Sequence, residues 1–132
     1  MRYLLDTHTL TNQLMRSPQK RSDLFVIDEV ADEYAFVKSE ILKITSAGIS
    51  VIDITKKHLE KLKEIMATHG SNLKLIRLCT GKGSADVLML SYIISERDCP
   101  ESLFTDEYTL VTRDKELTSI AKLYNIKTLT NL

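Results

Sequence analysis

The runs "RYLL" (Arg2–Leu5), "LFVI" (Leu24–Ile27) and "TLVT" (Thr109–Thr112) constrain this chain most. Each is short, and none alternates polar with apolar residues. A strand with one wet face alternates, whereas a strand buried on both faces reads as a nearly continuous apolar run. "ISVID" (Ile49–Asp53) and "IKTLT" (Ile126–Thr130) read as two further strands. The intervening segments carry apolar residues at helical spacing. They run from Thr7 to Met15, from Asp28 to Ser46 with a stop near Gly48, from a Thr55 cap to a stop at Gly70, from Ser84 to Arg97, and from Asp114 to Tyr124. Short buried strands alternating with helices predict a three-layer α/β/α domain with a central, mainly parallel sheet. In such sheets, sites form beyond the carboxyl ends of the strands.

A length of 132 residues suits one domain, and with only 2 Pro and 4 Gly no interdomain linker is visible. No apolar span is long enough for a transmembrane helix, and the opening "MRYLLDTHTL" is too short an apolar run for a signal peptide. Cys79 and Cys99 form no CxxC pair, so buried thiols and a reducing cytoplasm are expected. Basic and acidic residues balance at 18 each. Bulk charge therefore does not point to nucleic acid, although a local basic rim would suffice for it.

Two acids follow strands. Asp6 comes directly after "RYLL", and Asp114 lies two residues beyond Thr112. Each has a plain structural role available, because an Asp N-cap stabilises a helix by about 1 kcal/mol. With parallel strands, both also project at the same edge of the sheet. Glu33 lies on a helix whose apolar stripe is Val30, Val37, Ile41 and Ile44. At about 100° per residue it falls roughly 40° from Val37, inside that stripe, whereas Glu29 and Asp32 are better placed for solvent. Asp86 lies one turn before Met89, Leu90 and Ile93, opposite Ser84, Ser91 and Ser95. A first-turn acid gains about 0.3–1 kcal/mol from the helix dipole, which accounts for its position along the helix but not for its face. If the four cluster, each ionised pair at about 5 Å costs roughly 3 kcal/mol at an effective dielectric near 20. Bound cations offset that cost, and oxygen-only ligands select hard ions such as Mg²⁺ or Mn²⁺.

In that order the motifs resemble those of PIN-domain ribonucleases. "LLDTHTL" is similar to the family's opening strand, and "VIDEVADEY" to the strand–helix segment whose second Glu is functional, here Glu33. "GSADVLML" is similar to its third acidic motif, which supplies Asp86. "LVTRDKELTSIAKLYNIKTLT" is similar to its C-terminal motif, which supplies Asp114 and a supporting hydroxyl, Thr112. The interval from Asp86 to Asp114, through "RDCPESLFTDEYT", is longer than usual and offers Asp106 as a rival acid; only Asp114 precedes the matching helix and strand. The resemblance implies a Mg²⁺- or Mn²⁺-dependent endonuclease acting on single-stranded RNA and leaving a 5′-phosphate and a 3′-hydroxyl. Asp6 and Asp86 would be central metal ligands, with Glu33 and Asp114 holding a metal directly or through water. Many small members of the family are homodimeric toxins held inactive by an antitoxin.

Other residues carry less. His58 and His69 lie on or beyond a charged helix and are expected in solvent; His8 is expected to pack near the site. Arg16, Lys20, Arg21, Lys82, Arg113 and Lys115 form either a phosphate rim or ordinary surface charge. "GKGS" around Lys82 is not a phosphate-binding loop, since GxxxxGK[ST] is absent. Aromatic residues make up 6% of the chain, with no Trp, which disfavours an extended base-stacking platform. A haloacid-dehalogenase-type phosphatase needs a second Asp where His8 stands, and a response-regulator receiver needs a paired acid and a placed Lys. The alternative from another class is a non-cleaving PIN-fold module that binds RNA or protein.

Overall fold

The computed structural model describes residues 2–16, 21–38, 41–69, 85–98 and 107–132, the side chains of 36–38, 41 and 69 excepted. Its elements are β1 (Arg2–Leu5), α1 (Thr7–Arg16), β2 (Leu24–Ile27), α2 (Asp28–Lys38), α3 (Ile41–Ser46), β3 (Ser50–Ile52), α4 (Lys56–His69), α5 (Ala85–Asp98), β4 (Tyr108–Val111), α6 (Lys115–Leu123) and β5 (Thr128–Leu129). The five strands form one sheet in the order β3-β2-β1-β4-β5. Every pairing is parallel, with Tyr3 opposite Leu24, Leu5 opposite Val111, Ile27 opposite Ile52, and Val111 opposite Leu129.

The apolar runs sit where continuous burial requires. Leu4 and Leu5, Val26 and Ile27, and Leu110 and Val111 are all buried, so consecutive residues face opposite sides of the sheet and neither side is wet. Helix α1 packs on α2 and α2 on α3, while α4 packs on α5 and α5 on α6. The two groups cover the sheet from either side and make a three-layer α/β/α fold. Leu10, Val30 and Ala31 close the core from the first group; Met89, Leu90, Leu117 and Ile120 close it from the second. Full burial of one such large side chain contributes about 1.5–3 kcal/mol.

Two helix exits use the left-handed conformation. After α3, Gly48 has φ 79°; its N–H bonds the Thr45 carbonyl, and the Ile49 N–H bonds that of Ile44. After α6, Asn125 has φ 58°, its N–H bonds the Lys122 carbonyl, and the Ile126 N–H reaches back to Ala121. Both are Schellman closures with a buried Ile just beyond the turn. They aim the chain into β3 and β5.

Three expectations about elements change. The predicted single helix over Asp28–Ser46 is two helices, α2 and α3, with residues 39–40 outside the described set. Val30 and Ile44 are both buried, so apolar spacing alone runs on across the junction. The outer strands β3 and β5 are shorter than "ISVID" and "IKTLT", as strands paired on only one side commonly are. Finally, α5 has no solvent face over its first three turns. Ser91 and Ser95 are buried among the apolar residues, and the Ser91 hydroxyl donates to the Leu88 carbonyl. Gly70, Cys79, Ser84 and Cys99 lie outside the described residues. Among the described residues no helix is long and apolar enough to cross a membrane.

Candidate active site

Strand β1 sits at the point where the chain's path across the sheet reverses, with β2 on one side and β4 on the other. The carboxyl ends of β1 and β4 therefore diverge into helices on opposite faces and leave a crevice between them. Into that crevice open Asp6 after β1, Glu33 from α2, Asp86 from the first turn of α5, and Asp114 before α6. Together with Thr7, His8, Ala85 and Arg113 they line one cleft of about 390 Å³. All four acids expected from the sequence thus meet, although 108 positions separate the first from the last.

Asp6 is held most firmly. Its carbonyl accepts the Leu10 N–H, and its Oδ1 accepts the Thr9 N–H at 2.8 Å, so it is the N-cap of α1. The Thr9 hydroxyl lies 2.6 Å from that same Oδ1 and 3.0 Å from the Val111 carbonyl; its single proton serves one at a time. Oδ2 accepts the Thr112 hydroxyl. These donors compensate a carboxylate that is only 8% exposed.

Thr112 joins two acids. Fully buried, it donates its hydroxyl proton to Asp6, and its oxygen accepts the Asp114 N–H at 3.1 Å. Its own N–H continues the sheet ladder to Leu129. Asp114 is a cap in fact: its Oδ1 accepts the N–H groups of Glu116 at 2.9 Å and Leu117 at 3.1 Å. Capping and lining the cleft are compatible, because the cap engages one carboxylate oxygen in these bonds and the side chain still reaches the crevice wall.

Glu33 is half-buried, and a hydroxyl compensates its carboxylate: Thr7 donates to its Oε2. The expected stripe does not run along one helix, because Ile41 belongs to α3; the side chains of Val37 and Ile41 lie outside those described. The buried face of α2 is Val30, Ala31 and Tyr34, and Glu33 flanks it. Asp32 is exposed as expected; Glu29, expected in solvent, is half-buried. Asp86 is half-buried at the start of α5. With that helix buried nearly all round, its position in the first turn, rather than a choice of face, brings it to the cleft.

Two histidine expectations fail. His8 is exposed on the cleft wall instead of packed, because it stands in the first turn of α1 at the mouth of the crevice. His58 is 3% exposed, not solvated. Its Nδ1 accepts the Thr55 N–H at 2.9 Å, which leaves the proton on Nε2, 3.0 Å from Glu96 Oε1. The ring lies 4.9 Å from that of Tyr92. The face of α4 that carries His58 is turned onto α5, where Lys57 and Lys61 also pair with Glu96 and Asp98. Burial alone raises the Glu96 pKa; His58 and Lys57 outweigh it and hold the carboxyl below its ordinary value. Burial also pushes the neighbouring Tyr92 hydroxyl well above its usual range, with its bond to Tyr108 adding to the shift.

Of the rim cations, Arg113 lines the cleft and donates to Asn131 Oδ1 at 2.6 Å. Arg21 pairs instead with Asp23 at 2.8 Å, a hydrogen bond that depresses the Asp23 carboxyl. Arg16 and Lys115 are exposed. Lys20, Lys82 and the rival acid Asp106 lie outside the described residues. Thr7 and Thr9 were missed as site residues. "DTHT" does carry the Asp-x-x-Thr spacing of a cap that bonds the third residue of its helix, whereas the Thr7–Glu33 bond spans 26 positions and has no local signature.

The oxygen-only donor set has the chemistry of a hard-cation site. As they stand, however, no three His, Cys, Asp or Glu side chains among the described residues are gathered closely enough to hold one ion. No protein-family model and no curated protein matches this chain.

Proposed function

We propose that the protein is a metal-dependent endoribonuclease of the PIN-domain kind, acting in the cytoplasm on single-stranded RNA. One observation carries the reading: Asp6, Glu33, Asp86 and Asp114, from four separate segments, line a single cleft at the carboxyl edge of a parallel sheet. Asp6 and Asp86 would hold Mg²⁺ or Mn²⁺, with Glu33 and Asp114 contributing directly or through water. Such an ion supplies a Lewis acid that activates a water and offsets charge at phosphorus. The chain's own residues do the rest. Thr9 and Thr112 fix the Asp6 carboxylate, and Thr112 ties it to Asp114. Thr7 orients Glu33. Arg113, at the mouth, offers a guanidinium to the scissile phosphate. Cleavage leaves a 5′-phosphate and a 3′-hydroxyl. The resemblance of the motifs further supports a homodimeric toxin held inactive by a protein antitoxin.

Because no three His, Cys, Asp or Glu side chains among the described residues form a group that could hold a metal ion, the second reading is a non-cleaving PIN-fold module that binds RNA or protein. Incubation of the pure protein with end-labelled unstructured RNA decides between the two. Endonuclease reading requires cleavage with Mg²⁺ or Mn²⁺, none with chelator, and none from folded Asp6→Asn or Asp86→Asn. Absence of cleavage by wild type with either ion leaves the binding module.

A further inference from the structure

Beside the acid cleft lies a smaller depression whose walls include Thr9, Asn12, Gln13, Arg16 and Asn131. Two contacts join it to the cleft. Thr9, in its wall, holds the Asp6 carboxylate. Arg113, in the wall of the cleft, donates to Asn131 in the wall of the depression. The chemistry reverses from one to the other. Four carboxylates line the cleft, whereas the side chains lining the depression include three amides and one guanidinium and no carboxylate. Arg16 is exposed and makes no ion pair among the described residues. A volume of about 30 Å³ admits water-sized polar groups such as the oxygens of a phosphate. The two non-bridging oxygens of a phosphodiester fit both the size and the donors.

Resting on the ribonuclease reading above, we propose that this depression seats the backbone phosphate that adjoins the scissile one, with Arg16 as its counter-charge. Arg113, held by Asn131, spans the two positions. A contact of Arg16 with a backbone phosphate positions the strand without itself selecting sequence.

The test measures binding of a short labelled single strand of RNA between about 50 and 200 mM salt, with Asp86→Asn present in every protein to prevent cleavage. Removing one phosphate contact on a single strand lowers the slope of log K against log salt by about 0.7. Arg16→Gln shows that loss, and Arg16→Lys restores the slope. Asn131→Ala weakens binding by about twofold to tenfold at unchanged slope, because it removes a hydrogen bond and no charge. Lys63, exposed on α4 and lining neither hollow, serves as the control, and Lys63→Gln keeps the parent slope. A parent slope in Arg16→Gln, or an equal loss in Lys63→Gln, overturns the inference while leaving the nuclease intact. A wild-type protein that neither binds nor cuts RNA overturns the underlying reading, and this inference with it.

Discussion

Replacing Thr112 with Val removes one hydroxyl from the fully buried link between Asp6 and Asp114 and changes the volume little. Asp6 Oδ2 loses a donor, and a hydrogen bond to a charged group contributes about 1.5–3 kcal/mol. The Asp114 N–H loses its acceptor; it is half-buried and recovers part of that bond from water, so the cost there is roughly 1 kcal/mol. The sum is about 2.5–4 kcal/mol, and no cavity term is added because the methyl fills the vacated space. For a domain of this size, 1 kcal/mol corresponds to about 3–5 °C, so Tm falls by about 8–20 °C on those two scales. Thr112→Ser keeps the hydroxyl and stays within about 1 kcal/mol of wild type, the loss being one methyl group. Denaturant and thermal melts by circular dichroism measure both variants. A Val variant that loses less than about 1 kcal/mol, or a Ser variant that falls as far as Val, refutes the claim that the hydroxyl joins the two acids.

Asp114→Asn and Glu33→Gln lose most ribonuclease activity, whereas Glu29→Gln and Asp106→Asn lose little; single-turnover cleavage of labelled RNA ranks them, and the reverse order refutes the motif assignment. Asp86→Asn relieves repulsion among the acids, so its metal-free Tm rises at neutral pH while the upward shift given by Mn²⁺ shrinks. A bound ion at a hundredfold excess over Kd contributes about 2.7 kcal/mol, and an unchanged shift in the variant removes Asp86 from the metal site. Glu96 makes a pH-dependent contribution. Its carboxyl is depressed in the folded state, so the unfolded chain binds more protons and this stabilisation is present above the unfolded glutamate pKa of about 4.3. It is lost as pH falls through the lower folded value, so the stability gap between wild type and Glu96→Gln narrows progressively as pH falls below the unfolded value. A gap independent of pH refutes the ion pair with Lys57 and the bond to His58.

The layering is legible in the sequence alone. Continuous apolar runs at Leu4–Leu5, Val26–Ile27 and Leu110–Val111 admit only strands covered on both faces, and the spacing between them only helices. The strand-end acids are legible for the same local reason, since an Asp between a strand and a helix caps that helix whatever else it does. Tertiary structure decided what local periodicity does not encode. Whether His58 meets solvent depends on which face of α4 lands on α5, and Ser91 is buried because its helix is enclosed on every side. The partner of Glu33 is Thr7 because β1 and β2 are neighbours in the sheet and set α1 beside α2. Strand order brings Asp6, Thr112 and Asp114 together: β4 pairs with β1 across more than a hundred positions, and only that pairing lets one buried hydroxyl touch both acids.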